Sequence, residues 1–254
     1  FEENPLTGKF DLTKRPGVSK LGTLGTSTQV AYAICTSFTT QLSGSPLVFS
    51  TDGTDVVVDS VPGSRVIFSI SAGSAYTPFF LDKTLITNVE NIVLQVRTNN
   101  LTAADSVFFS QSISAAFTEI TDVDFVSTNG GARGKMEFMD GFAFRLTFQN
   151  RIINSDLNSL VNWNPTNFIT KQIKQDYPVG LARLNNQLLA FGEETVEPFY
   201  NAGNATGSPL SPIKHLHQRI GLIHTAASGG GHYYCLVGNI LYFVGRKAGG
   251  VNSA

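Results

Sequence analysis

The feature that most constrains this chain is a series of short runs in which apolar and polar residues alternate. A period of two places every second side chain on one face, as in a β-strand. The runs are rich in Val, Ile, Phe, Tyr and Thr, and Gly, Asn, Asp or Pro bounds them. The pattern predicts an all-β fold of short antiparallel strands. The clearest runs are TQVAYAICTSF, DVVVDSV, RVIFSIS, NIVLQVRT, SVFFSQS, FAFRLTF and NILYFVG.

Turn and helix signals fit the same fold class. TDGT (51–54) and TNGGARG (128–134) predict hairpin turns. Two segments could form a turn or two of helix: 154–163, with Asp156 near its start, and 211–221, with Pro212 early and Gly221 as a stop. We expect these few short helices to be excursions between strands.

A repeat of about 47 residues runs through the chain. Turn residues precede an apolar strand at five positions, and 47, 49, 46 and 53 residues separate these positions in order. A four-stranded propeller blade takes roughly 40–50 residues. The spacing therefore predicts a β-propeller-like array of short antiparallel blades, about five of them and not necessarily a closed ring. The five turn residues are Gly44, Asn91, Asp140, Asn186 and Asn239.

Low charge narrows the possible partners. Only 15% of the residues are charged, and 18 basic residues balance 19 acidic ones to a net charge of −1. Proteins that grip nucleic acid need clustered Lys and Arg, yet the densest basic stretch, 171–174, is followed by Asp176. We expect no tight or sequence-specific DNA binding. A neutral surface past which DNA slides stays open.

The chain divides into an N-terminal arm and a body. Pro5, Gly8, Pro16 and Gly17 punctuate residues 1–20, which predicts an extended arm. Residues 21–254 form the β-propeller-like body. The chain begins with Phe1, so we expect it to be part of a longer polypeptide. No apolar run reaches the roughly 18 residues of a bilayer span, which predicts no membrane-spanning segment.

No motif in the sequence predicts an active site, a metal or a cofactor. GGGHYY (229–234) lacks the Lys-Ser/Thr of a phosphate loop. His215 and His217 could pair on a metal, but no third ligand is near and Lys214 and Arg219 would repel a cation. The carboxylates of EETVE (193–197) are expected to face solvent or another subunit rather than act as a catalytic pair.

The two cysteines, Cys35 and Cys235, lie in apolar β-like surroundings. Free cysteine is among the most buried residue types. We therefore expect two buried, reduced thiols, and a disulfide stays open.

One long stretch, 134–203, resembles a known family. Asp140-Gly141 leads a hydrophobic strand, Trp163-Asn-Pro follows, and a strand ending in Phe-Gly192 precedes Thr-Val-Glu197-Pro-Phe-Tyr. This order is similar to the packaged-DNA stabilisation proteins of P22-like short-tailed phages. Lys-Arg-Pro-Gly (14–17) and Leu-Tyr-Phe-Val-Gly-Arg (241–246) also resemble that family.

The resemblance implies a structural virion protein and no enzyme. Its members form the tail hub, which closes the DNA exit channel below the portal and its adaptor, retains packaged DNA and helps deliver it to the host. The implied partners are further copies in a ring, with six expected, the portal-adaptor protein, the tail needle and the tailspike, with non-specific DNA contact at most. The implied location is the virion, after synthesis in the host bacterial cytoplasm.

The residues carried over from the family have structural roles. Asp140 and Gly141 are expected to turn a hairpin, Gly192 to let the chain leave a strand, and Glu197 to lie on the following strand. The full set of family-motif positions is Arg15, Pro16, Gly17, Asp140, Gly141, Trp163, Gly192 and Glu197.

Two alternatives of other classes remain. A glycoside-hydrolysing propeller would need an arginine cluster or a close carboxylate pair, and neither is evident. A carbohydrate- or receptor-binding module would display aromatic residues. Trp163, Tyr233 and Tyr234 are candidates for that role, and each also fits a core position.

Overall fold

The structure is a computed structural model. It describes residues 117–126, 132–223, 234–237 and 239–247, and N-terminal to residue 111 it describes strands alone. The strands β1 (Glu2–Glu3) and β2 (Phe10–Asp11) pair as a two-stranded ribbon within the first twenty residues. All the pairs of strands in the described part are antiparallel.

Four successive sheets each contain four strands that pair in chain order. Sheet 1 contains β3 (Val30–Cys35), β4 (Leu47–Thr51), β5 (Asp55–Asp59) and β6 (Ser64–Ser69). Sheet 2 contains β7 (Tyr76–Ile86), β8 (Val89–Thr98), β9 (Ser106–Ser110) and β10 (Thr118–Glu119). Sheet 3 contains β11 (Ala132–Met139), β12 (Phe142–Thr147), β13 (Arg151–Ser155) and β14 (Trp163–Thr170). Sheet 4 contains β15 (Pro178–Leu184), β16 (Gln187–Gly192), β17 (Val196–Asn201) and β18 (Leu210–Pro212).

Four further strands, which we call sheet 5, form two pairs. The outer pair joins β19 (Ile220–Leu222) to β22 (Gly245–Lys247), and the inner hairpin joins β20 (Tyr234–Val237) to β21 (Ile240–Phe243). The helices of the described part are α1 (Val123–Val126), between sheets 2 and 3, and a 3₁₀ turn η1 (Lys214–Leu216), between sheets 4 and 5. An all-β fold is confirmed.

The sheets stack face to face because alternate residues of a strand enter different cores. On β12, Ala143 enters the core shared with sheet 2, whereas Phe144 and Leu146 enter the core shared with sheet 4. Sheet 3 is thus buried on both faces, and even polar side chains of its central strands, Arg145, Asn154 and Ser155, are buried. A third core joins sheets 4 and 5 through Val179, Ala182, Phe191, Val196 and Leu222.

A β-bulge in β11 anchors sheet 2 to sheet 3. The register shifts between Arg133 and Glu137, which leaves backbone groups unpaired. The buried side chain of Gln95, on β8, enters this bulge: its Nε2 donates to the carbonyl of Gly134 (3.3 Å), and its Oε1 accepts the amide of Met136 (3.1 Å). One amide side chain therefore satisfies both bulge groups from the neighbouring sheet.

The predicted repeat marks the strands of successive sheets. Asn186 lies directly before the second strand of sheet 4, Asp140 lies two residues before that of sheet 3, and Asn91 lies near the start of the second strand of sheet 2. Gly44 is outside the described residues. Asn239 precedes β21, the third strand of sheet 5 rather than its second, which explains the longer last interval.

Two local predictions are wrong. Segment 154–163 is not helical: β13 ends at Ser155, and Asn158 has a left-handed φ of 55° that a helix excludes. In 211–221 the helix shrinks to η1, and Pro212 and Gly221 lie in strands. Of the predicted turn at 128–134, residues 128–131 lie outside the described residues, and 132–134 belong to β11.

Two other expectations can be compared with the structure. TDGT lies between the antiparallel strands β4 and β5, so the predicted hairpin is confirmed, although residues 52–54 themselves are outside the described part. Cys235 is a free thiol but is exposed, so its predicted burial is wrong. It lies on the face of β20 opposite Tyr234, whose ring stacks on Phe191 of sheet 4.

Candidate functional site: a buried ion pair between two sheets

A buried ion pair closes the linker between sheets 3 and 4. This linker, residues 171–177, joins the end of β14 to the start of β15. The side chain of Lys171 is 0% exposed, and its Nζ lies 2.5 Å from Asp176 Oδ1 and 3.3 Å from Thr195 Oγ1. A buried ammonium requires such partners, since an unpaired charge in the interior is costly.

The carboxylate of Asp176 also holds the turn between β16 and β17. Its Oδ2 accepts the backbone amides of Glu194 and Thr195, both at 2.8 Å. Burial by itself raises the pKa of Asp176, but the hydrogen bond and charge of Lys171, with the Glu194 amide and the Thr195 hydroxyl, outweigh burial and hold the pKa below its ordinary value. The linker and the turn are thus joined by an ionised group.

A second carboxylate, on sheet 4, binds the same linker. Glu197, on β17, is 0% exposed. Its two oxygens accept the consecutive backbone amides of Gln172 (2.9 Å), Ile173 (3.1 Å) and Lys174 (3.2 Å). Charge-assisted bonds to backbone amides are strong. Glu197 therefore fixes the path by which the chain crosses from sheet 3 to sheet 4.

Glycine at position 192 makes room for this arrangement. A Cβ at Gly192 would contact both carboxylate oxygens of Asp176. Any larger residue would push the Asp176 carboxylate away from Lys171. Gly192 is the last residue of β16, and Glu197 lies on β17.

Acid is expected to weaken the contribution of Asp176. Because its pKa is lower when folded than its unfolded value of about 3.9, its stabilisation is complete above that pH and is lost as the pH falls through the folded pKa. We predict that the difference in unfolding free energy between wild type and Asp176→Asn shrinks below about pH 4. Urea unfolding between pH 6 and pH 2.5 measures it. A difference that stays constant to pH 2.5 would contradict the assignment.

The turn at Asp140 and Gly141 joins sheets 3 and 4 at the other end. Both residues have positive φ, 53° and 82°, as a two-residue hairpin turn with matching twist requires. Asp140 Oδ2 accepts the side-chain amide of Asn201 from sheet 4 (2.9 Å), and the carbonyl of Gly141 accepts the amide of Asn158 (2.8 Å).

Trp163 joins sheet 3 to helix α1. Its side chain is buried, its Nε1 donates to the carbonyl of Leu160 (2.9 Å), and its backbone amide donates to Asp122 Oδ2 (3.3 Å). Its ring lies 4.8 Å from that of Phe125. Trp163 is a core residue, and this burial argues against its use as an exposed binding aromatic. Arg15, Pro16 and Gly17 lie outside the described residues.

The structure also places the rejected motifs. In EETVE, Glu194 pairs with Lys174 on the surface, whereas Glu197 is the buried carboxylate already described. Within the described ranges, no group of three or more His, Cys, Asp or Glu could hold a metal ion. In the part of the chain that the structure describes, no helix is long and apolar enough to span a membrane.

Sequence reasoning did not identify the structural roles of Lys171, Asp176 and Gln95. Lys171 and Asp176 were visible only as a basic stretch followed by an acid. The sequence offered only a weak signal: two opposite charges five residues apart, followed later in the chain by a strand that ends in Gly. Gln95 lies in an apolar run, and a lone polar residue on the buried face of a strand could have marked it.

These features define the class of protein. Successive four-stranded antiparallel sheets stack face to face, and the first strands of neighbouring sheets contact one another, as in pairs β3–β7 and β11–β15. This is the blade arrangement of a β-propeller.

The family follows from the sequence comparison. The family model for phage stabilisation proteins, described as bacteriophage P22 Gp10, beta-propeller, matches residues 3–254. The chain belongs to this family of phage DNA-stabilisation proteins. No curated protein matches the sequence. Nothing in the comparisons supports the carbohydrate alternative.

Solved structures share weaker likeness. One is BBS1N in complex with ARL6DN (13% identity, TM-score 0.44), for which the match covers 68% of this chain and 50% of that one. Another is the computationally designed Ika4 protein (12% identity, TM-score 0.44), with 72% and 98% covered. A third is ctPRC2 in complex with H3K27me3 and H3K27M (11% identity, TM-score 0.38), with 71% and 51% covered. The chain thus spans half the length of the BBS1N chain.

Proposed function

We propose that this chain is a non-enzymatic subunit of a phage tail hub. In this role several copies, six by expectation, form a ring below the portal and its adaptor. The ring closes the DNA exit channel together with the tail needle and supports the tailspikes. The subunit is made in the host cytoplasm and joins the virion. The observation that carries the proposal is the family match over nearly the whole chain.

The geometry is consistent with a static, load-resisting role. The charged groups of this region, which could act as acids or bases in an enzyme, bind other groups of the fold. Lys171, Asp176 and Glu197 are all buried. Lys171 binds Asp176, and Glu197 accepts backbone amides of the linker. Glu194 pairs with Lys174. The carboxylates of this region therefore join sheets, which favours a structural role over a catalytic one.

A mass measurement of the purified full chain tests the proposal. We expect native mass spectrometry or sedimentation equilibrium to show a closed oligomer of about six copies, alone or after addition of tail components. A fluorogenic glycoside serves as the enzymatic control and should remain intact. A chain that stays monomeric with every tail component and cleaves the glycoside would overturn the proposal.

A further inference from the structure

A basic segment between sheets 4 and 5 is held in a fixed conformation. It comprises residues 213–219, which include η1. At its start the amide of Ile213 donates to the carbonyl of Pro198 (2.8 Å), and at its end Gln218 and Val196 exchange both backbone hydrogen bonds (2.9 and 3.0 Å). Between them, a ring nitrogen of His217 lies 3.0 Å from the carbonyl of Lys214. The side chains thus project from a preorganised backbone.

The positive charges of this segment face solvent. Lys214, His215 and Arg219 are exposed. Among the described residues, the ion pairs are formed by Lys135, Lys171 and Lys174, and neither Lys214 nor Arg219 takes part in one. In this segment Lys and Arg flank two imidazoles. Their positive charges would repel a metal cation, and for the same electrostatic reason they favour an anion.

Two acids that flank the bridge partner Val196 are paired elsewhere. Gln218 is bridged to Val196, which lies between Glu194 and Glu197 in sequence. Glu194 pairs with Lys174, and Glu197 is turned into the linker, where it accepts three amides. Their charge is balanced by other groups. The two exposed cations of the segment, which form no ion pair among the described residues, are available to a ligand.

We propose that residues 213–219 contact the phosphate backbone of duplex DNA. The proposal rests on the proposed function, in which DNA passes the ring. The two cations and the N–H of the exposed His215 imidazole suit phosphates, which need charge and donors but no base reading. One copy makes about two phosphate contacts and binds weakly, whereas a ring of copies presents the segment repeatedly and gains by multivalency. Binding is thus sequence-independent and releasable by salt.

Duplex binding by charge variants tests the proposal. The probe is a fluorescent 30-base-pair duplex of arbitrary sequence, titrated with the full-length protein between 50 and 200 mM salt. The test variant is Lys214→Gln/Arg219→Gln. The matched control is Ala205→Glu/Thr206→Glu, which changes the net charge by the same amount in the exposed loop at the opposite end of β18. Thermal unfolding midpoints confirm that both variants fold.

The expected result is a loss of affinity in the test variant alone. Each phosphate contact contributes roughly −0.9 to the slope of log K against log salt, so the test variant should lose about two units of slope per copy and bind about tenfold more weakly at 50 mM salt. If both variants bind DNA as the wild type does, the proposal fails, and an acidic protein surface becomes the better partner. The mass measurement separates this inference from the proposed hub function. If the protein forms a ring that does not bind DNA, this inference alone is wrong.

Discussion

Replacing Asp176 with asparagine is expected to lower the free energy of unfolding by about 3–5 kcal/mol, the usual cost of leaving a buried charge without its partner. The ammonium of Lys171 is 0% exposed and has the Asp176 carboxylate 2.5 Å away. Asparagine keeps the size of the side chain but removes the charge. Urea unfolding at neutral pH measures the loss.

A second variant separates the ion pair from mere packing. Lys171→Met/Asp176→Asn removes both charges, and buried pairs replaced by uncharged groups are often close to neutral. We therefore expect the double variant to recover most of the stability that Asp176→Asn loses. If the double variant is as unstable as the single one, the backbone amides of Glu194 and Thr195, rather than Lys171, are the partners that matter.

Replacing Gly221 with alanine is expected to separate sheet 5 from sheet 4. A Cβ at this position would overlap the peptide that joins Glu193 to Glu194. Backbone atoms cannot turn aside as the end of a flexible side chain can. We expect the free energy that docks β19 onto sheet 4 to fall by about 3 kcal/mol, at the upper end of the usual range for overpacking.

Amide hydrogen exchange reports this separation locally. The backbone amides of Val196 and Gln218, which form a bridge, should exchange much faster in Gly221→Ala. The exchange rates of the amides of sheet 3 should be unchanged. Gly203→Ala is the control, since a Cβ there meets nothing within 4 Å and only the left-handed φ of 67° is strained. Equal protection at Val196 in wild type and Gly221→Ala would refute the close-approach explanation.

The strands could be predicted because the signal that specifies them is local. Both faces of β12 are buried in apolar cores, so its signal in the sequence is a short run rich in Phe, Ala and Leu that follows the turn residues Asp140 and Gly141. Turn residues such as Asp140 and Gly141 were likewise recognisable, because the left-handed φ at both positions favours the Asp-Gly pair.

The contacts between sheets could not be predicted, because they join residues far apart in the chain. Gly221 resembled a helix stop in the sequence, whereas the structure shows that it makes room for the peptide at Glu193. Lys171 resembled a surface cation, and it is buried against Asp176 and Thr195. The neighbour of Gly221 lies on a different sheet, far away in the chain. Asp176 is only five residues from Lys171, but Thr195, which also contacts its ammonium, is 24 residues away.

The stacking of the sheets has a mechanical consequence. Each apolar cluster of the described residues joins two successive sheets. In such a linear series the stability is close to a sum of nearest-neighbour terms. A pulling load along the chain would then detach one sheet at a time, and each detachment would dissipate work before the next sheet yields. Under such a load the chain would lengthen in steps, where a protein with a single undivided core would unfold all at once.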